Sequence, residues 1–522
     1  MPIFSKILHI CHLLAAPLLL PILCACSLFD YNDCESTGTE MPVPQIATDN
    51  QYISLNIVVS SGKENITRAN TPAGGEDGDG REMGFERENK VSGITFMLYE
   101  VEEKATAGEH TGINDITDND ILAFIQYYPV TLVKKDDYDY PTNIEAVYTT
   151  GDQPLGGSGL DLAKTYRAIV VANLDMTKDF KVGSKVVDVR QKTVSSIYTG
   201  SSIGIEAKDF VMALEDDNTI ISFKKPTNQT PPKVDGQMAD GQMIDKYEID
   251  NIRIERLAAR MDFWTKGATY MENANYLTPG YEYPVYRNDI ETKPSSNDKF
   301  VLTAIRPFNL YSGDEYLIKR IERDNGTFYL ADETVTQSKT ETNYVLDPNT
   351  LKKNSVVSSC PAYMEAAKWL KTVAADNETG WLTMESLHVS DAIYDHTDYG
   401  VTAPNIIVCY PKENTLLKES PLYCYATGLC IEGDYYPAGR TNPEHLIYYG
   451  YLRHQGEGDG SYTIKPADEL TTNEKSTFAM NYGVVRNNIY RISIDKVTEK
   501  RSLELKITVK QWDKFEHDII YM

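Results

Sequence analysis

Basic residues are few beside acidic ones: 51 Lys and Arg face 76 Asp and Glu, a formal net charge of -25 over 522 residues. A surface of that sign repels polyanions, and no basic stripe interleaved with aromatics offsets it, so nucleic-acid partners are excluded. Cysteine is sparse past residue 26, with Cys34, Cys360, Cys409, Cys424 and Cys430 the whole set. Cys-x-x-Cys spacing is missing and the histidines are scattered, which argues against a metal centre. His388, Asp391, Asp395, His396 and Asp398 lie close in sequence but read as a solvated loop. Asp77, Asp79 and the 115–120 segment lack the ligand spacing of a calcium loop. A serine-hydrolase elbow is missing too, since Gly156-Gly-Ser-Gly159 has the wrong spacing and reads as a turn. Phosphate-binding loops are absent. With no nucleophile, acid–base pair or ligand set, the expected chain is not an enzyme and carries no cofactor.

Apolar runs are short everywhere except residues 7–23, which follow Lys6 and lead into Leu23-Cys24-Ala25-Cys26. That run is too short and too near the start to serve as a membrane span, and it has the layout of a secretory signal. A small residue before a cysteine, with a leucine three places upstream, is what lipoprotein processing requires, which makes Cys26 the acylated first residue of the processed chain. An ordinary signal peptide with an incidental cysteine is the alternative. Asp30, Asp33 and Glu35 follow closely and match a surface-export signal. In an oxidising envelope, Cys424 and Cys430 are placed either to bridge neighbouring turns or to remain buried thiols with Cys360 and Cys409.

What is abundant is β-forming. Tyrosine numbers 35, and with Val, Ile and Thr it suits half-buried pleated surfaces. Residues 26–49 are polar and read as a tether. Tyr52-Ile-Ser-Leu-Asn-Ile-Val-Val-Ser60 puts Ile53, Leu55, Ile57 and Val59 on one face at period two, a strand. Residues 61–90 show no periodicity, are rich in Gly, Asp and Glu, and expose Arg68, Arg81 and Arg87. Val91-Ser-Gly-Ile-Thr-Phe-Met-Leu-Tyr99 and Tyr166-Arg-Ala-Ile-Val-Val-Ala-Asn173 are strands, the second apolar enough for burial on both faces. Residues 252–264 alternate and read as one strand. The Pro- and Gly-rich residues 226–241 precede a domain boundary near residue 250. Further on, residues 361–375 read as a helix opened by Pro361, and residues 406–410, 422–425, 446–452, 489–494 and 503–509 as strands.

The first and last strands match. Ile53, Leu55, Ile57 and Val59 share their spacing with Leu503, Leu505, Ile507 and Val509, so one could refill a groove vacated by the other. Between them lies Arg68-Ala69, open to a trypsin-like protease. Alternation of this kind also describes any half-buried strand that pairs for good within its own domain.

In the order and spacing of its motifs the chain resembles the fimbrillins, the pilin subunits of type V fimbriae in Bacteroidales. The motifs are the lipobox ending at Cys26, the strand followed by Arg68-Ala69, residues 90–99 and residues 166–173. Arg256-Leu-Ala-Ala-Arg-Met261, Val485-Arg-Asn-Asn-Ile-Tyr490 and Val509-Lys-Gln-Trp512 with the apolar tail complete the set. The resemblance covers most of the mature chain. It implies a mainly β fold of two transthyretin-like or Ig-like β-sandwich domains with a few short helices. The expected divisions are a signal peptide at 1–25, a propeptide with tether and first strand at 26–68, an N-terminal sandwich at 69–250 and a C-terminal sandwich at 251–522. It further implies an outer-membrane lipoprotein precursor anchored through the Cys26 lipid, cleavage between Arg68 and Ala69 by an arginine-specific protease, and loss of the Ile53 to Val59 strand. The donor segment of the next subunit, a second copy or a related one, would then enter the groove. Leu503, Leu505, Ile507, Val509, Trp512, Phe515, Ile519 and Tyr521 match that donor. The product would be an extracellular fimbrium supporting adhesion. One departure is the short connection, residues 495–502, where stalk subunits have a long linker; it leaves room for an anchor or accessory subunit. The alternative outside this class is a non-polymerising surface lipoprotein that binds glycans or host proteins through tyrosines and Trp369 or Trp381.

Overall fold

The computed structural model describes residues 44–59, 81–83, 86–100, 120–134, 146–195, 197–198, 207–214, 220–222, 233–239, 242–271, 279–311, 313–323, 328–329, 343–350, 382–383, 393–395, 404–454, 461–469, 474–477 and 480–513. Cys26, Arg68, Ala69, Phe515, Ile519, Tyr521, Trp369, Trp381, Cys34, Cys360 and the helix expected at 361–375 lie outside them. So do Asp77, Asp79, His388, Asp391, His396 and Asp398.

Nine strands frame the candidate site: β1 (Gln51–Val59), β2 (Arg81–Met83), β3 (Ala146–Thr149), β4 (Gln153–Pro154), β5 (Gln242–Arg256), β6 (Arg260–Trp264), β7 (Ser461–Ile464), β8 (Asn488–Thr498) and β9 (Leu503–Asp513). The protein is mainly β, and the described residues form two large sheets of 11 and 13 strands and three small ones. Strands of the first large sheet come from residues up to Arg256, and those of the second from Arg260 onward together with β2. This is the expected mainly β architecture of two β-rich parts of sandwich type. Among the described residues helix is confined to short turns such as Val186–Arg190.

Alternation explains the strands, and burial explains where alternation fails. Gly93–Glu100 lies antiparallel between Leu122–Pro129 and Thr165–Ala172. Both Gly93–Glu100 and Thr165–Ala172 are inner strands of their sheet, so their apolar runs are buried on both faces. Phe96, Leu98, Ile169 and Val171 belong to the first core, where Phe96 meets Phe124 edge-on at 6.1 Å. The second core gathers Phe300, Tyr448, Leu505 and Ile507 around a similar T-shaped pair, Phe300 and Tyr448 at 6.0 Å.

Four sequence expectations change. Residues 252–264 are not one strand: the chain breaks at Leu257, Ala258 and Ala259, leaves the first sheet after β5 and enters the second with β6. Leu257 N donates to Val211 O at 3.1 Å and Ala259 N to Pro411 O at 2.9 Å, so successive backbone groups serve different sides of the step. Residues 422–425 form a helical turn rather than a strand, because Pro421 fixes φ at -63° ahead of it and Ala426 N closes onto Leu422 O. The loop expected over 61–90 includes β2 and a 3-10 turn at Glu86–Glu88, while the Pro- and Gly-rich 226–241 stretch contains Lys233–Ala239, paired antiparallel with β5. Cys424 is disulfide-bonded, whereas Cys430 and Cys409 are free and buried. The Cys424–Cys430 bridge and the set of four thiols are therefore both replaced, with the partner of Cys424 outside the described residues.

No helix among the described residues is long and apolar enough to cross a membrane. Nor do the described residues bring three or more His, Cys, Asp or Glu together in a metal-holding group.

Candidate functional site

β1 is an inner strand with neighbours on both edges. It runs parallel to β5, pairing Ile53 with Tyr247, Leu55 with Ile249, Ile57 with Ile252 and Val59 with Ile254. Its other edge is shared by β3, antiparallel over Asn56 to Val58, and by β4, antiparallel over Tyr52 and Ile53. Where β3 gives way to β4, Thr150 bridges the gap: Leu55 N donates to Thr150 Oγ1 at 3.0 Å and Thr150 N to Leu55 O at 3.1 Å. The hydrogen-bonded seam continues upstream, with Ala47 N donating to Leu160 O and Leu162 N to Gln45 O, each at 2.8 Å.

Ile53, Leu55, Ile57 and Val59 are fully buried in the first core. At roughly 1.5 to 3 kcal/mol each, four such side chains contribute about 6 to 12 kcal/mol before ordering costs. Period two led to the expectation of a half-buried strand, yet Ser54 and Val58 on the opposite face are also buried. Asn56, between them, is half-buried and donates through Nδ2 to Glu248 Oε1 at 3.1 Å and to Asp250 Oδ1 at 2.7 Å. The two carboxylates reach one amide because the register slips between Leu55 and Ile57, where β5 carries an extra residue.

The matching strand occupies a place of its own. In β9, Leu503, Leu505, Ile507 and Val509 are buried in the second core. One edge of β9 pairs antiparallel with β8, and the other with β7 over residues 503–506 and with β2, in parallel, over residues 511–513. A tight turn closes the hairpin: Thr498 N donates to Ser502 O at 3.0 Å, their hydroxyls share a 2.6 Å hydrogen bond, and Arg501 takes φ +60°. The structure thus places the two matched strands in different sheets and does not bring them together. Trp512 lies in β9, aligned with Glu82 of β2.

Sequence reasoning missed a buried ionic seam where the chain steps between the sheets. Arg256, Arg260 and Arg486 head the largest fully buried side chains. In the sequence they stood out only as motif members, Arg256 and Arg260 also as positions of one alternating strand. Arg256 donates from Nε to Glu88 O at 3.0 Å, from Nη1 to Asn487 Oδ1 at 3.0 Å and from Nη2 to Asn89 Oδ1. Arg260 grips Asp262 with two hydrogen bonds, of 3.0 and 2.9 Å, and reaches Glu88 Oε2 at 3.2 Å. The Tyr410 hydroxyl donates to the other oxygen of Glu88, and burial, followed by the Glu88 charge, pushes its pKa far up. Arg486 holds Glu413 at 2.9 and 3.1 Å and donates to the carbonyls of Tyr316 and Leu317. Lys319 meets Glu255 at 2.6 Å. Glu315 accepts from Glu413 N at 2.5 Å, and burial pushes its pKa up to about 8 against the opposing pull of Arg486. The signal in the sequence was an arginine pair flanking Leu-Ala-Ala within an apolar strand, since buried charges require partners.

Nothing in this seam presents a nucleophile or an open acid–base pair to a substrate. What the geometry offers chemically is a strand-shaped bed under β1, walled by β5 on one side and by β3 and β4 on the other.

No family model matches the chain, and no curated protein matches it in sequence. Solved structures do. A candidate cell adhesion protein from Parabacteroides distasonis is 12% identical, with a TM-score of 0.37, and covers 88% of this chain and 99% of its own. The tip fimbrial protein Mfa3 from Porphyromonas gingivalis is 11% identical, at a TM-score of 0.34 over 88% and 99%. A fimbrial assembly protein from Parabacteroides distasonis is 10% identical, at 0.30 over 88% and 98%. These three are fimbrial and candidate adhesion proteins, but at such identities and TM-scores the likeness assigns no role to this chain.

Proposed function

We propose that the chain is a structural subunit of a surface fimbria, exported as a lipoprotein through Cys26 and matured by cleavage between Arg68 and Ala69. Cleavage frees the 26–68 segment, and β1 leaves with it. The C-terminal segment of a neighbouring subunit, a second copy or a relative, takes its place through Leu503, Leu505, Ile507 and Val509, with Trp512 and the tail positions Phe515, Ile519 and Tyr521 extending the contact. The domains in this reading are 69–250 and 251–522, and the product supports adhesion at the cell surface.

The observation that carries the reading is the position of β1. It is paired on both edges and fills four core sites. Its removal would leave unpaired backbone groups on β5, β3 and β4 and a row of aliphatic vacancies, a template that another strand of the same period satisfies.

Lending β9 requires it to unzip from β8, β7 and β2. That closure favours a second reading within the same class, an accessory or anchor subunit that accepts a strand and keeps its own. Treating the purified precursor with trypsin separates the cases. A new N-terminus at Ala69 with heat-resistant ladders supports the polymerising subunit. Cleavage with monomer only, but capture of a related subunit, supports the accessory role. An intact N-terminus with no assembly under any condition overturns both.

A further inference from the structure

We propose that the bed beneath β1 selects the incoming strand by charge, with Glu248 and Asp250 requiring a cationic or amide side chain at the strand's central outward position, which Lys506 of a second copy supplies. The inference rests on the reading that β1 is replaced, and it names what the replacement must carry. In the closed chain the Asn56 amide donates to both carboxylates, at 3.1 and 2.7 Å. When β1 departs, both lose that donor at once. They face the vacated position from the rim, Glu248 half-buried and Asp250 exposed on the bulged stretch of β5. Like charges brought beside them would repel, and a cation would not.

Asn56 is the midpoint of Ile53 to Val59, and Lys506 is the midpoint of Leu503 to Val509. Because the four aliphatic positions are spaced symmetrically, the centre of the donor falls on the centre of the bed whichever way the strand enters. Lys506 therefore arrives beside Glu248 and Asp250 in either direction.

The flanking positions then distinguish the directions. In β1, Ser54 pairs with Glu248 and Val58 with Arg253. A donor entering in the direction of β1 puts Glu504 at the place of Ser54, against Glu248. Entering in reverse, it puts Thr508 there and sets Glu504 beside Arg253, so reverse entry is the favoured one.

The test uses the full chain cut after Arg68 and stripped of the 26–68 fragment, with labelled synthetic peptides of β9 (Leu503–Asp513) read by fluorescence anisotropy. Lys506→Glu is expected to bind roughly tenfold more weakly and Lys506→Asn close to the unaltered peptide. The Glu248→Lys, Asp250→Lys protein is expected to recover the Lys506→Glu peptide. Equal binding of the Lys506 and Glu peptides overturns the charge selection while leaving the bed intact. Failure of every β9 peptide while a Gln51–Val59 peptide rebinds overturns the selection and the lending of β9 together. Failure of the Gln51–Val59 peptide as well overturns the replaceable strand itself. A Glu504→Lys peptide is expected to bind more weakly, and tighter binding overturns reverse entry.

Discussion

Arg486 and Glu413 form an ion pair with no solvent exposure on either side chain, Nη2 to Oε2 at 2.9 Å and Nε to Oε1 at 3.1 Å. Arg486 also caps the carbonyls of Tyr316 and Leu317, and Leu317 belongs to the first core while the strand following Arg486 belongs to the second sheet. The pair therefore ties a segment packed on one core to the strand leading into the other. Buried pairs of this kind are weak evidence for net stability but are strongly damaging when one member is removed.

Arg486→Met is expected to cost about 3 to 5 kcal/mol, because Glu413 is left charged and enclosed. Adding Glu413→Gln should recover a large part of that loss. Urea unfolding of the single and double variants measures both, and a double variant no better than the single one refutes the account.

Stability should fall as pH rises through the range set by Glu315. Its pKa is raised from 4.5 to about 8 by burial, with Glu413 adding to the rise and Arg486 opposing it. Between those values the folded protein keeps a proton that the unfolded chain has released, so the contribution is whole below 4.5 and lost by about 8. The decline is expected to be on the order of a few kcal/mol. Glu315→Gln should flatten the stability profile over this window; an unchanged slope in the variant refutes the assignment.

Leu55→Ala removes a fully buried side chain from β1 and should destabilise the uncut precursor by about 2 to 5 kcal/mol. If β1 is replaced on assembly as proposed, the same substitution should have no effect on the heat resistance of the ladder. A mutant ladder that melts earlier than the unaltered one shows that β1 stays in the fibre.

Cys409 and Cys430 should resist alkylation in the native protein at pH 8. Both are free and buried; burial pushes the Cys430 thiol up to about 12, despite Arg306, and the Cys409 thiol higher, with help from the Asp262 charge. Iodoacetamide is expected to label them only in denaturant, and the Cys424 peptide only after reduction. Mass spectrometry distinguishes the three, and native labelling of either buried thiol contradicts the packing.

Much of this was legible one strand at a time. The alternation in residues 53–59 and 503–509 placed both strands and identified the side chains that line their cores. Arg256-Leu-Ala-Ala-Arg260 and Arg486-Asn-Asn488 stood out as motifs, but their meaning appears only where they meet: Arg256 Nη1 donates to Asn487 Oδ1 at 3.0 Å, and Asn487 N returns a bond to Ala258 O at 2.9 Å. No local pattern connects residues 231 positions apart.

The amino-acid sequence by itself determined the mainly β class, the acidic surface and the shared spacing of the first and last strands, because side-chain period and net charge are local or additive properties. Tertiary structure alone decided that β1 runs parallel to β5, that a bulge there brings Glu248 and Asp250 to one amide, and that β9 is held on both edges in another sheet. Those outcomes depend on which strands become neighbours, and strand pairing is chosen by contacts far apart in the chain, among alternatives that the period of a single strand leaves equivalent.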